Sequence, residues 1–147
     1  MSRITSSWTK TTEEAFGQLG KHGREAELFV KQCIEQLGWT CVDCEQDRAL
    51  QIAGIDLIVN GKYTVDVKAN LNDNGTYFVE ATQTGWLFDH KKTSNIIIHV
   101  NVEKRQMYMY NREQMKQWIK SNRHLRGTEL IPLNVKDQLP FVEYLKL

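Results

Sequence analysis

The stretch GIDLIVNGKYTVDVKAN, residues 54–70, reads as an apolar β-hairpin that carries charge inside it. IDLIV (55–59) and YTVDVKA (63–69) have the β-branched, alternating character of strands, and Asn60-Gly61 between them is a strong hairpin signal. Asp56 opens the first strand, and Asp66 and Lys68 lie near the end of the second. Ionised groups beside a strand core are costly unless something pairs with them.

Register decides whether these charges meet. Side chains alternate across a strand, so Asp66 and Lys68 share a face. A strict two-residue loop would pair Val59 with Lys62 and Asp56 with Val65, which sends the two aspartates to opposite faces. A three-residue loop or a bulge shifts the register by one and sets Asp56 opposite Asp66. If the carboxylates act together, the shifted register is expected. Two converging carboxylates, joined by the Val67 carbonyl, form an oxygen-rich site suited to a hard divalent cation. Lys68 would project beside it, able to orient a water and offset charge on a phosphate.

Upstream, GREAELFVKQCIEQLGW reads as a helix with Ala26, Phe29, Val30, Cys33 and Leu37 on one apolar stripe and Gly38 as its stop. This places Glu25 at the border of the buried stripe, with Glu27, Lys31 and Glu35 on the outer side. Residues 1–20 read as a loosely held polar arm with a short helix around TEEAFGQL. WTCVDCE (39–45), TYFVEAT (76–82), NIIIHVNV (95–102) and QMYMY (106–110) read as further strands. GWLFDHKK (85–92) reads as a short helix, and NREQMKQWIKSN (111–122) as a helix capped by Asn111. The tail, with Pro132 and Pro140, reads as irregular with a closing strand or turn. Helix, antiparallel strands, helix, strands, helix indicates a mixed-sheet α/β or α+β domain with helices on its faces.

The set Glu25 … Gly54-Ile55-Asp56 … Val65-Asp66-Val67-Lys68 resembles the PD-(D/E)XK nuclease superfamily. The resemblance runs from about residue 21 to residue 110, and the lead-in helix is similar to that of small Holliday-junction-resolvase-like nucleases. It implies a restriction-endonuclease-like core, a mixed sheet flanked by helices. It also implies an active site of Glu25, Asp56, Asp66 and Lys68, in which Asp56, Asp66, Glu25 and the Val67 carbonyl bind Mg²⁺, with Mn²⁺ able to substitute. Ile55 stands where the family has proline, and Asp66 is an allowed alternative to glutamate. Gln83 is a candidate for the polar residue that some members carry after the core.

Length and composition frame this reading. A chain of 147 residues suggests one domain, 1–147. With 41% hydrophobic and 25% charged residues, the chain has a globular composition, and the formal net charge of +1 leaves room for a local basic patch. No apolar run approaches the ~20 residues needed to cross a bilayer, and MSRITSSWTK lacks the apolar stretch of a signal peptide. A soluble intracellular, cytoplasmic protein with no membrane partner is expected. The three cysteines fit a reducing compartment. Cys41 and Cys44 form a CxxC, but strand spacing points them to opposite faces and two further zinc ligands are lacking, so a structural role is favoured.

DNA is the expected partner. Lys91, Lys92, Lys104, Arg105, Arg123 and Arg126, with His124, are the candidate phosphate contacts. Trp86 is read as core rather than base-stacking, and His90 and His99 as structural. A resolvase or restriction-type enzyme would be a symmetric homodimer, with two sites on two strands. The competing reading is a catalytically inactive nucleic-acid- or protein-binding module on the same fold. An RNA nuclease is a weaker third.

Overall fold

Alternation along one strand sorts the molecule into two sides. In Tyr63–Lys68, Val65 and Val67 point into one hydrophobic cluster with Tyr63 packed against it, while Thr64, Asp66 and Lys68 face the other way. The computed structural model describes residues 12–122, 130–134 and 139–147. Helix α1 (Thr12–Gln36) is followed by strand β1 (Cys41–Asp43), the short helix α2 (Arg48–Ile52), β2 (Leu57–Val59) and β3 (Tyr63–Lys68). Next come β4 (Thr76–Glu80), β5 (Ile96–Asn101), β6 (Gln106–Asn111) and helix α3 (Arg112–Asn122). Strands β7 (Leu130–Asn134) and β8 (Glu143–Lys146) close the chain.

Six strands form one sheet in the order β1-β2-β3-β5-β6-β8, and β4 pairs with β7 in a separate two-stranded sheet. The architecture is thus mixed α+β, as the sequence indicated. The sheet is mixed because β3 and β5 run parallel, whereas the other pairings are antiparallel. That pairing differs from the expected antiparallel run. A parallel neighbour needs a long crossover, and residues 69–95 supply it.

The first cluster lies between α1 and the sheet. Ala26, Phe29, Val30, Cys33 and Ile34 pack on Cys41, Leu57, Val59, Val65, Val67, Ile98, Val100 and Met107. Each aliphatic side chain buried here contributes about 1.5–3 kcal/mol. The second cluster covers the opposite face, where Ile97, Tyr108 and Tyr110 of the sheet meet Tyr77 and Val79 of β4, Leu87, and Met115 and Ile119 of α3. Among the described residues, no helix is long and apolar enough to cross a membrane.

Several sequence expectations change. The helix around TEEAFGQL is not separate, because α1 is continuous from Thr12; residues 1–11 lie outside the described residues. GWLFDHKK forms turns rather than a helix. The guanidinium of Arg112 takes the Trp86 and Leu87 carbonyls that a helix would have used internally. TYFVEAT does form a strand, but it leaves the main sheet to pair with the distant β7, Thr76 opposite Asn134. Helix α2 was not anticipated; it is started by Asp47, whose carboxylate accepts from the Leu50 N–H at 3.1 Å. Asn111 caps α3 as expected, accepting from the Gln114 N–H at 3.1 Å. Cys33, Cys41 and Cys44 are buried and free.

His99 is wholly buried on β5, with Nδ1 2.5 Å from Asn70 Oδ1 and Nε2 2.7 Å from the Tyr110 hydroxyl. It stacks on Tyr77 at 4.3 Å between ring centroids. Burial, and then the nearby Lys68 charge, push its pKa well down, so the ring is neutral. The role is structural. His99→Phe should take their His99 partner from the buried Tyr110 hydroxyl and the half-buried Asn70 oxygen, at a cost of about 2–4 kcal/mol. Urea denaturation monitored by circular dichroism measures that loss.

Candidate active site

The hairpin adopts the shifted register. Val59 faces Tyr63, Ile58 faces Thr64 and Leu57 faces Val65, so the loop holds three residues; one residue further on, Asp56 leaves the ladder with its N–H on the Val65 carbonyl, and its carboxyl group interacts with that of Asp66. Asn60 and Gly61 both take positive φ, 54° and 65°, which is the backbone twist that Asn-Gly provides cheaply.

Asp56 is held at three points. Its N–H donates to the Val65 carbonyl at 2.8 Å, its carbonyl accepts from the Cys44 N–H at 3.0 Å, and its Oδ2 accepts from the Val67 N–H at 2.8 Å. The carboxylate thus replaces the backbone acceptor that the end of β2 no longer offers to β3. By strand alternation, the Val67 carbonyl points to the same side as its N–H, toward Asp56. Gln51 of α2 steadies the approach, donating to the carbonyls of Cys44 at 2.9 Å and Ile55 at 3.1 Å.

Asp66 is buried, whereas Asp56 is half-buried. Loss of hydration, then the Asp66 charge and a direct contact between the two carboxyl groups, push the Asp56 pKa up to about 7, against the opposing Val67 hydrogen bond. Two cations address Asp66 at the same oxygen, Oδ2: Lys68 Nζ at 3.4 Å and Arg112 at 3.9 Å. The Lys68 ammonium also lies 4.8 Å from the centroid of the Trp86 ring. Lys68 is therefore held between a carboxylate and an aromatic face.

Gly54 closes against this site with φ +72°. A Cβ there would meet Lys92 Cδ at 3.0 Å and lie 3.7 Å from Asp66 Oδ2. Gly54→Ala combines left-handed strain with that contact and should cost about 1–2 kcal/mol. A shift in the urea midpoint at unchanged slope would report it.

Glu25 does not join the cluster: its residue is exposed. The half-buried border position belongs to Glu27, whose charge is felt at Asp56. Burial raises the Glu27 pKa against the pull of Arg24, which bridges Glu27 at 3.0 Å, Glu45 at 2.9 Å and Asp43. The reason is the stripe itself. Leu37 is exposed and Ile34 is buried, so the buried face is rotated toward Glu27. Ile34, at i+7 from Glu27, is the signal that sequence reading passed over.

Among the basic candidates, Lys92 packs its stem on Gly54 beside Asp66, with Nζ donating to the Ile52 carbonyl at 3.0 Å. Lys91 and Lys104 are exposed, and exposed Arg105 stacks over Phe29 of α1 at 5.2 Å. Gln83 and His90 are exposed. Trp86 is partly buried against the second cluster. Arg123, His124 and Arg126 lie outside the described residues. Among the described residues, no three His, Cys, Asp or Glu side chains gather as a metal-binding group. The oxygen donors at hand are the Asp56 and Asp66 carboxylates and the Val67 carbonyl. Comparison with family models, curated proteins and solved structures returns no match to this chain.

Proposed function

We propose that this protein is a Mg²⁺-dependent nuclease that hydrolyses phosphodiester bonds in DNA, with Asp56, Asp66, Val67 and Lys68 as its centre. The observation that carries the reading is the shifted hairpin register, which brings two carboxylates into contact beside a lysine. Two like charges pressed together and partly stripped of water are unfavourable on their own. A hard cation removes that cost, and three oxygen donors suit Mg²⁺, which keeps its remaining positions for water and substrate phosphate. Bound there, the metal would polarise the phosphate and acidify a water. The chain's own residues do the rest. Asp56 and Asp66 supply the negative field, and Val67 adds a fixed dipole. Lys68 places a positive charge where negative charge develops on the phosphate. Among the described basic side chains, Lys92 lies beside Asp66 and would touch the neighbouring backbone, with Lys91 next to it. Glu27 takes the position in which Glu25 was expected.

This reading is consistent with the PD-(D/E)XK resemblance and with its mixed sheet. Cleavage of branched DNA and a symmetric dimer belong to the same proposal. The test uses purified protein with Mg²⁺ or Mn²⁺ and labelled single-stranded, duplex, flap and four-way-junction DNA, with Asp66→Ala and Lys68→Ala as controls. Metal-dependent cutting lost in both variants supports it. Binding without cutting on every substrate would instead indicate a non-catalytic module.

A further inference from the structure

Arg112 is a buried cation at the first position of a helix, the end at which the helix dipole disfavours positive charge. Something must compensate it. Nε donates to the Ser94 carbonyl at 2.6 Å, and the guanidinium donates to Ser94 Oγ at 2.7 Å. Its remaining terminal nitrogen takes the carbonyls of Leu87, at 2.9 Å, and Trp86. All of these acceptors are neutral. Among the described residues, the carboxylate that the guanidinium meets is Asp66, at 3.9 Å. That distance is too long for a direct hydrogen bond but short enough for strong attraction in a dry site.

We infer that Arg112 is a positioning residue for the carboxylate–lysine centre. It acts in two directions at once. Its charge, shared with Lys68 at Oδ2, holds the Asp66 carboxyl group in place beside Asp56. Its hydrogen bonds fix the backbone at Trp86, the ring over which the Lys68 ammonium rests. One side chain thereby sets both the acid and the lysine. The significance for catalysis rests on the nuclease reading; the coupling between Arg112 and Asp66 does not.

A double-mutant cycle on metal-free protein at pH 8, followed by thermal melting, separates this role from plain packing. Arg112→Met should lower the melting temperature by roughly 10 °C, because it takes from buried Asp66 the more deeply buried of its two counter-charges and leaves the Ser94 and Leu87 acceptors unpaired. The double variant with Asp66→Asn should lose much less than the sum of the two single losses. Ser94→Ala, which removes a neutral partner of the guanidinium, should combine additively with Asp66→Asn. Arg112→Lys should recover at least half of the loss, and the neutral Arg112→Gln should not. In the cleavage assay, Arg112→Lys should lower kcat about tenfold or more at unchanged KM. Simple additivity of Arg112→Met and Asp66→Asn overturns the inference. Should Arg112→Met alone fail to fold, the double variant decides: folding supports the inference, and failure overturns it. If the native protein cuts no substrate, the nuclease reading falls while the cycle still tests the coupling.

Discussion

Asp56→Asn should make the metal-free protein more stable at pH 8 and remove its cleavage activity. Asparagine is nearly isosteric and keeps an oxygen to accept the Val67 N–H, so the hairpin retains its 2.8 Å tie. What disappears is a charge pressed against Asp66. The Asp56 pKa is raised from an ordinary 3.8 to about 7, so the folded state holds this proton more tightly than the unfolded chain does. A raised pKa contributes stability that is complete below the unfolded value and is lost as pH climbs through the folded one. The native protein in chelator should therefore melt progressively lower between about pH 4 and pH 7.5. Three pH units convert to about 4 kcal/mol, and partial exposure of Asp56 reduces this to ~2 kcal/mol. The variant should then melt about 5 °C above the native protein at pH 8 and show little difference at pH 4.5.

Divalent metal gives the complementary arm. Mg²⁺ or Mn²⁺ added at pH 8 should raise the native melting temperature by relieving the same repulsion, and the rise should shrink in Asp56→Asn. Scanning calorimetry over pH, with and without metal, measures both effects. A flat profile for the native protein in chelator would show that the two carboxylates do not oppose each other. Stability gained as activity is lost is the usual signature of a strained functional site.

Much of this hairpin was legible in the sequence because its signals are local. Alternating Val, Ile and Tyr defined the strands, Asn60-Gly61 defined the turn, and shared chemistry for Asp56 and Asp66 demanded the three-residue loop that the register shows. The rest depended on contacts distant in sequence. Nothing within residues 76–80 says that their partner lies at 130–134. The apolar run Trp86, Leu87 and Phe88 passes for a helix until Arg112, some 25 residues on, takes its carbonyls. Glu27 rather than Glu25 takes the half-buried border position because the buried stripe runs through Ile34 and not Leu37, and two residues on a helix are about 200° apart. Arg112 itself left a readable mark: a cation directly after an N-cap, where an acid is the favoured choice.

Lys68→Ala should reduce single-turnover cleavage by about 10³-fold while leaving the fold intact, the size expected when one preorganised charge is removed from a developing oxyanion. The side chain is about a quarter exposed, so its removal opens no sealed cavity. What it loses structurally is the 3.4 Å pair with Asp66 and the contact with the Trp86 ring, together ~1 kcal/mol. Melting within a few degrees of the native protein is therefore expected. DNA binding in Ca²⁺ should weaken only a fewfold, because one phosphate contact among several is removed. Lys68→Arg is the informative partner. Arginine keeps the charge, but its wide planar fork does not match an ammonium held between one carboxylate oxygen and a ring face. It should restore binding while recovering little of the rate. An Arg variant as fast as the native protein would make Lys68 a general electrostatic contact. An Ala variant that still cuts would place the reaction elsewhere on the protein.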